Sequence, residues 1–187
     1  EYSFKDDTTS VSCRAVSKLM YHCGVSLCSK YSVGITTAVD FYYAAALKAF
    51  FGYDEGVKWV PHNNMNDVDW KNLIIAEIES RRPVIIGGQE QDTDDGHAYV
   101  LDGYDANKMI HVNWGWDGAM DGYFEINSIA STPNNTFFSR IMDLTIGIKK
   151  PDKIGSLYYD NNGFNFTSKN KCPLNTEIPI VGSYYVK

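Results

Sequence analysis

The chain of 187 residues suits one domain with a small extension, and its 44% hydrophobic and 21% charged residues are typical of a globular protein with a real core. Its net charge of −6 argues against nucleic acid as the default partner. No apolar run approaches the ~20 residues that a membrane span needs, and the opening EYSFKDDTTS is not a signal peptide, which leaves the compartment open because processing removes such segments.

Three helices are predicted in the first half of the chain. Each has a polar N-cap candidate, apolar residues at helical spacing, and a glycine or proline near its end. The segments are SVSCRAVSKLMYHCG, TTAVDFYYAAALKAFFG and NDVDWKNLIIAEIESRRP. The predicted N-caps are Ser10 or Ser12, Thr36 or Thr37, and Asn66 or Asp67, and the predicted stops are Gly24, Gly52 and Pro83.

From Pro83 onward the apolar residues follow the pattern of β-strands. The predicted strands are PVIIGG, HAYVLDG, MIHVNWG, GYFEIN and MDLTIGI. Helices followed by an antiparallel meander predict an α+β domain, which we expect over residues 1–151. Residues 152–187 are rich in Asn, Tyr and turn residues, and we expect a C-terminal β extension or the start of a further β-module there.

The four cysteines are too few for a disulfide scaffold at this length. His22, Cys23 and Cys28 lie close together in YHCGVSLC, but their spacing is not that of a zinc site with paired ligands. We therefore expect no metal and mostly ordinary buried thiols.

The hairpin formed by HAYVLDG and MIHVNWG contains the candidate site. If the turn GYDAN is centred on Asp105, His97 and Asn113 each lie eight residues from its midpoint and face each other, with Cβ atoms ~4.5–5.5 Å apart. The asparagine carbonyl would then accept a hydrogen bond from the imidazole, fixing its tautomer and leaving the other nitrogen as a base or as the partner of a thiolate. A bulge near the turn would break this register.

The same register predicts one apolar and one polar face. The apolar face holds Ala98, Val100, Ile110 and Val112, and the polar face holds His97, Tyr99, His111 and Asn113. Trp114 and Trp116 flank the asparagine, and we expect them to screen its hydrogen bond from water. The neighbouring glycines are expected to allow close backbone approach, and they are Gly96, Gly115 and Gly118.

These residues carry a resemblance to a known family. GHAYVLDGYD followed by HVNWGWDGAMDGYF resembles the streptopain-like cysteine peptidases, which are secreted bacterial endopeptidases with a papain-like fold. The segments AVSKLMYHCGVSL, ALKAFFGYD, DWKNLIIAEIESRRPVII and IGIKKP have counterparts in the same order, from Ala15 to Pro151. GHA alone is a weak signal, whereas GHA followed by HVNWGW at this distance is a strong one.

The resemblance implies a papain-like α+β fold and cysteine–histidine catalysis. His97 matches the catalytic histidine, Asn113 the residue that orients it, and Trp114 the tryptophan that shields the pair, with Trp116 in the same motif. A thiolate would attack a peptide carbonyl, and His97 would protonate the leaving amine. The resemblance also implies protein or peptide substrates, no cofactor, and a secreted or cell-surface location.

The sequence departs from the family pattern in one respect. The family's nucleophilic cysteine lies upstream, at the start of a helix, and no counterpart of that segment is present. We therefore expect the histidine-bearing C-terminal half of a peptidase, inactive alone, with the cysteine on an upstream segment or on a separate chain of the same precursor. A non-catalytic relative or binding module is the alternative.

Two further alternatives stay open. Cys13 could serve as nucleophile, because it lies near a helix N-terminus, where a thiolate is favoured. Cys23 and Cys28 are poorer candidates at the other end of that helix, and Cys172 lies outside the matched region. Other papain-clan amidases and leader peptidases carry a similar glycine–histidine motif, but they usually continue with Asp-Pro where this chain has NWGW.

Overall fold

The computed structural model describes residues 10–34, 36–63, 65–89, 96–126 and 140–150. The chain divides into two compact units, one containing the described residues up to Val39 and the other those from Asp40 onward. The predicted extension at residues 152–187 lies outside the described residues, as do residues 90–95 just before His97. No helix in the described ranges is long and apolar enough to cross a membrane.

The first unit contains one long helix and a small ribbon. Helix α1 spans Val11–Ser26, and strands β1 (Lys30–Tyr31) and β2 (Thr36–Thr37) pair antiparallel. Ser10 caps α1 as predicted, because its Oγ accepts from the Cys13 N–H at 3.1 Å.

Two predictions for this unit are wrong. Gly24 does not end α1, which continues to Ser26; a Cβ at position 24 would collide with the Tyr31 phenol, so glycine provides room there. Cys28 is disulfide-bonded and not the expected free thiol, whereas Cys13 and Cys23 are free but only partly buried.

The second unit begins with two helices on either side of a strand. Helix α2 spans Tyr42–Phe51, strand β3 spans Lys58–Pro61, and helix α3 spans Asp67–Glu79. Gly52 ends α2 as predicted, in a left-handed conformation at φ 64°. Asn66 caps α3 as predicted, because its Oδ1 accepts from the Asp69 N–H at 2.9 Å. The predicted caps Thr36 and Thr37 are wrong, since both residues lie in β2.

A six-stranded antiparallel sheet forms the rest of the described unit. The strands after α3 are β4 (Val84–Gln89), β5 (Gly96–Tyr104), β6 (Ile110–Asn113), β7 (Gly122–Phe124) and β8 (Arg140–Ile146). The order is β3-β8-β4-β5-β6-β7, so β4 to β7 form a meander and β8 lies between β3 and β4. All five predicted strands are present, and the strands not predicted within the described residues are the short β1, β2 and β3.

The sheet is covered by a helix on each face. On one face, Trp70 and Ile74 of α3 pack into the main core with residues of β4, β5, β6 and β8. On the other face, Ala44 and Leu47 of α2 pack with Ile85 of β4. Helices against an antiparallel sheet confirm the predicted α+β class, and His97 lies on β5 near the centre of this sheet.

Candidate active site

His97 is held among aromatic rings at the start of β5. It pairs with Gly88 of β4 and is half-buried. Its ring stacks on that of Trp116, with centroids 4.7 Å apart and planes at 26°. The rings of Tyr99 and Trp114 lie at 6.0 and 6.1 Å. Stacked neighbours restrict rotation of the imidazole, so its orientation is largely set by packing.

A backbone carbonyl fixes the tautomer of His97. Its Nε2 lies 2.9 Å from the carbonyl oxygen of Trp114. A carbonyl oxygen can only accept, so Nε2 must carry a proton. In the neutral ring Nδ1 then holds the lone pair, which makes it the nitrogen that can take a proton from a thiol.

Asn113 does not face His97, and the predicted register is wrong. Asn113 pairs with Val100, and its exposed side chain accepts from the Gly115 N–H at 2.9 Å. Paired residues project from the same face and successive residues alternate, so His97 and Asn113 lie on opposite faces of the sheet. The orienting contact comes from the next residue's backbone instead.

The turn explains the shift in register. Tyr104 pairs with Ile110, so the loop has five residues and is centred on Asn107, with a further irregularity between Leu101 and Gly103. Asp105 begins this loop, and its Oδ1 accepts from the Asn107 and Met109 N–H groups at 2.9 and 2.8 Å. The loop lies two residues later than predicted, and this displacement together with the irregularity moves the partner of each β5 residue by several positions.

The predicted faces change with the register. Tyr99 belongs to the buried face and not to a polar one, and it lies in the main core with Leu101, Ile110 and Val112. Val100 projects with Asn113 from the other face. The later turn and the irregularity together thus separate two residues that a hairpin centred on Asp105 would have joined.

The loop after β6 holds Trp114 from several sides. The Trp114 N–H donates to Asp121 Oδ1 at 2.9 Å, and its indole Nε1–H donates to the Met120 carbonyl at 3.1 Å. The Trp114 ring is only 1% exposed, whereas Trp116 is 37% exposed. Sequence reasoning named both tryptophans but missed Met120 and Asp121, although Asp121 precedes a glycine in the quoted motif.

The glycines have different roles from those predicted. A Cβ at Gly96 would lie 3.4 Å from the Gly88 carbonyl oxygen, which is an ordinary contact distance. The close approach of the β4 backbone therefore gives only a weak reason for glycine at this position. Gly115 has φ 77° and Gly118 has φ 78°, with open space where a Cβ would be. These two glycines serve the left-handed backbone of the loop and not close approach.

The cysteines described in the structure all lie in the first unit. Burial raises the pKa of the Cys23 thiol, which disfavours its thiolate. Cys28 has no thiol to offer because it is disulfide-bonded. Cys13 lies in the first turn of α1. Within the described residues, no three His, Cys, Asp or Glu side chains are grouped as metal ligands would be.

Comparisons with known proteins identify the family of the chain. Residues 2–124 match the model of the peptidase C10 family. Streptopain of Streptococcus pyogenes serotype M28 is 31% identical over 140 residues, which are 72% of this chain and 35% of that protein. The thiol protease/hemagglutinin PrtT of Porphyromonas gingivalis is 27% identical over 141 residues, which are 73% of this chain and 16% of that protein.

Solved structures extend the similarity to the fold. The active interpain A cysteine protease of Prevotella intermedia matches with a TM-score of 0.66 and 31% identity, over 75% of this chain and 60% of that one. A fragment of its precursor, prointerpain A, also matches with a TM-score of 0.66 and 31% identity, over 79% of this chain and 46% of that one. The fold is papain-like, and the chain spans about a third of the length of the streptopains it matches.

Proposed function

Since the chain belongs to the peptidase C10 family of cysteine peptidases, we propose that it supplies the histidine half of an endopeptidase active site. In this proposal His97 is the catalytic histidine. The nucleophilic cysteine lies on an upstream segment or on a separate chain of the same precursor. The substrates are proteins or peptides, and the chemistry needs no cofactor.

The observation that carries the proposal is the hydrogen bond from His97 Nε2 to the Trp114 carbonyl. It leaves Nδ1 as the basic nitrogen of the neutral ring, and the stacked Trp116 limits rotation away from that orientation. Nδ1 accepts the thiol proton, and the thiolate attacks the peptide carbonyl. The imidazolium then protonates the leaving amine, and water releases the acyl group.

The cysteines among the described residues support an upstream nucleophile. Cys28 is disulfide-bonded, and burial raises the pKa of Cys23. Cys13 is a free thiol in the first turn of α1, and it is the alternative that an experiment must test. The family pattern places the nucleophile before the segments quoted above, and the streptopains matched here are long enough to hold such a region.

We propose that the mature protein is secreted or lies on the surface of the bacterial cell. We also propose that it is produced from a longer zymogen. The disulfide at Cys28 supports this location, because disulfides persist in oxidising compartments. The precursor origin is supported by the similarity to prointerpain A, whose name identifies it as a proprotein.

Replacing the proposed catalytic histidine tests the function. In the protein produced with its upstream segment, His97→Ala should lower kcat/KM on a peptide substrate by at least about 10³-fold, as for other catalytic bases. His111→Ala is the matched control, since His111 pairs with Asp102 away from His97. We expect that variant to change kcat/KM less than about twofold.

Other results would contradict the proposal. Equal losses in the two variants, with circular dichroism unchanged, would show that His97 has no special role. Peptide hydrolysis that persists in His97→Ala would point to a different site. Hydrolysis of simple amides but not of internal peptide bonds would favour the amidase alternative, and binding of peptides without hydrolysis would favour a non-catalytic relative.

A further inference from the structure

The peptide group that holds His97 is itself hydrogen-bonded at its other end. The carbonyl of Trp114 accepts from His97 Nε2 at 2.9 Å. The N–H of Gly115 belongs to the same peptide group, and it donates to Asn113 Oδ1, also at 2.9 Å. A continuous chain of hydrogen bonds therefore joins the Asn113 amide oxygen to the His97 ring.

Peptide resonance makes these two hydrogen bonds support each other. Withdrawal of the amide proton by an acceptor increases the negative charge on the carbonyl oxygen of the same group. The Trp114 carbonyl is thereby a better acceptor for the His97 N–H. The effect of each bond in such a chain is modest, about 10–30% of its strength, but it acts on the contact that fixes the tautomer.

Asp121 restrains the same residue from the N-terminal side. Its Oδ1 accepts from the Trp114 N–H at 2.9 Å, while the Met120 carbonyl accepts from the indole at 3.1 Å. The loop from Trp114 to Asp121 has left-handed backbone at Asp117 (φ 57°) and Met120 (φ 65°). Non-glycine residues adopt this conformation at a cost, so the loop depends on such hydrogen bonds to keep its shape.

We propose that Asn113 and Asp121 are positioning residues that act on His97 through the backbone of Trp114. Asn113 polarises the Trp114–Gly115 peptide, whose carbonyl meets the imidazole. Asp121 holds the preceding Asn113–Trp114 peptide through the Trp114 N–H, and so restrains the position of Trp114. The inference rests on the proposed function for its effect on catalysis. Its structural part concerns a histidine–carbonyl hydrogen bond that exists whether or not the protein is a peptidase.

The kinetic test uses paired substitutions in the protein with its upstream segment. Asn113→Ala and Asp121→Ala remove the acceptors and should each lower kcat about 5- to 20-fold, with KM within about twofold. Asn113→Asp and Asp121→Asn keep an acceptor oxygen and should restore most of kcat. Asp117→Asn, an exposed replacement in the same loop, should leave kcat unchanged.

The structural test needs no activity. Nitrogen-15 spectra of this chain should show neutral His97 as the Nε2–H tautomer, with the ring proton protected from exchange. Asn113→Ala and Asp121→Ala should speed that exchange about tenfold and mix the tautomers, whereas the conservative variants should not. In the unchanged protein the amide protons of Trp114 and Gly115 should also be protected from exchange. This measurement does not depend on any variant being folded.

These outcomes separate the inference from the proposed function. Unprotected Gly115 and Trp114 amides, unchanged His97 exchange in folded Asn113→Ala, or equal effects in Asp117→Asn would overturn the inference. The inference would also be overturned if Asn113→Asp or Asp121→Asn lowered kcat as much as the alanine variant at the same position. If the spectra behave as expected but His97→Ala keeps full activity, the proposed function fails and the hydrogen-bond chain stands.

Discussion

At the scale of single residues, the orientation of His97 depends on an aromatic neighbour as well as on a carbonyl. The indole of Trp116 covers the imidazole at 4.7 Å and is itself stacked on Trp114 at 5.5 Å. Because Trp116 is more than one-third exposed, it separates the imidazole from solvent on that side. Removing the ring would let the imidazole rotate and let water reach its hydrogen bond to Trp114.

We therefore predict that Trp116→Ala lowers kcat about 5- to 10-fold, the range expected for loss of one aromatic pair. Trp116→Phe keeps a ring over His97 and should recover most of that loss. Tyr123→Ala removes a 52% exposed aromatic residue from β7 and serves as the control. Steady-state kinetics on a peptide substrate check the prediction, and a phenylalanine variant no better than the alanine variant would refute it.

The sequence indicated the residue types of the site but not all their contacts. His97 and both tryptophans could be recognised because their side chains form a distinctive motif, GHA followed by HVNWGW. The partner of His97 is a main-chain carbonyl, and every residue has one, so no side-chain pattern marks it. The sequence predicts a direct contact for Asn113 because its side chain can make one, whereas the observed register places it on the other face.

At the scale of elements, the face of the sheet away from the main core carries a pair of carboxyl groups. Asp143 of β8 and Asp40, which precedes α2, meet beside Gly87 of β4, where a Cβ would clash with Asp40. Tyr43 donates to Asp40, and Trp59 donates to Asp143. Burial and the neighbouring Asp40 raise the pKa of Asp143 to about 6, and burial also raises the pKa of Asp40.

This pair should make the protein more stable in mild acid. A raised pKa means that the folded state binds the proton more tightly than the unfolded chain, in which the Asp pKa is near 3.8. The pair is therefore destabilising above about pH 6, and this cost disappears as the pH falls towards 4. Asp143→Asn should raise the free energy of unfolding by about 1–2 kcal/mol at pH 8 and change it little at pH 4.

Urea unfolding at several pH values checks this prediction. Asp117→Asn makes the same chemical change at an exposed carboxylate and is the control. A stabilisation by Asp143→Asn that is equal at pH 4 and pH 8 would mean that its cause is not the proton equilibrium. A destabilisation at pH 8 would mean that the carboxylate is paired favourably.

The elements themselves were predictable where local signals act alone. Ser10, Asn66 and Gly52 mark helix ends by capping chemistry that needs no tertiary contact. Gly24 was wrongly predicted to end α1. Its lack of a side chain makes room for the Tyr31 phenol, a contact that depends on the folded chain. Strand β3 was not predicted because its four residues, which end in a proline, are too few to show an alternating apolar pattern.

At the scale of the whole molecule, we propose that the His97 site of this chain serves a nucleophile that lies elsewhere. The six-stranded sheet, the stacked tryptophans and the Trp114 carbonyl hold the His97 ring in one orientation. Family membership indicates a cysteine peptidase, and the thiols described here are poorly suited, with Cys13 as the alternative. The central claim is that His97 activates a cysteine upstream of Glu1.

Mapping the reactive cysteine tests this claim most directly. The complete gene product would be treated with a peptidyl epoxide, digested and analysed by mass spectrometry, alongside its His97→Ala and His111→Ala variants. We predict one modified cysteine N-terminal to Glu1, with labelling lost in His97→Ala and retained in His111→Ala. Labelling at Cys13 or Cys23, or an upstream label that forms equally fast without His97, would contradict the account.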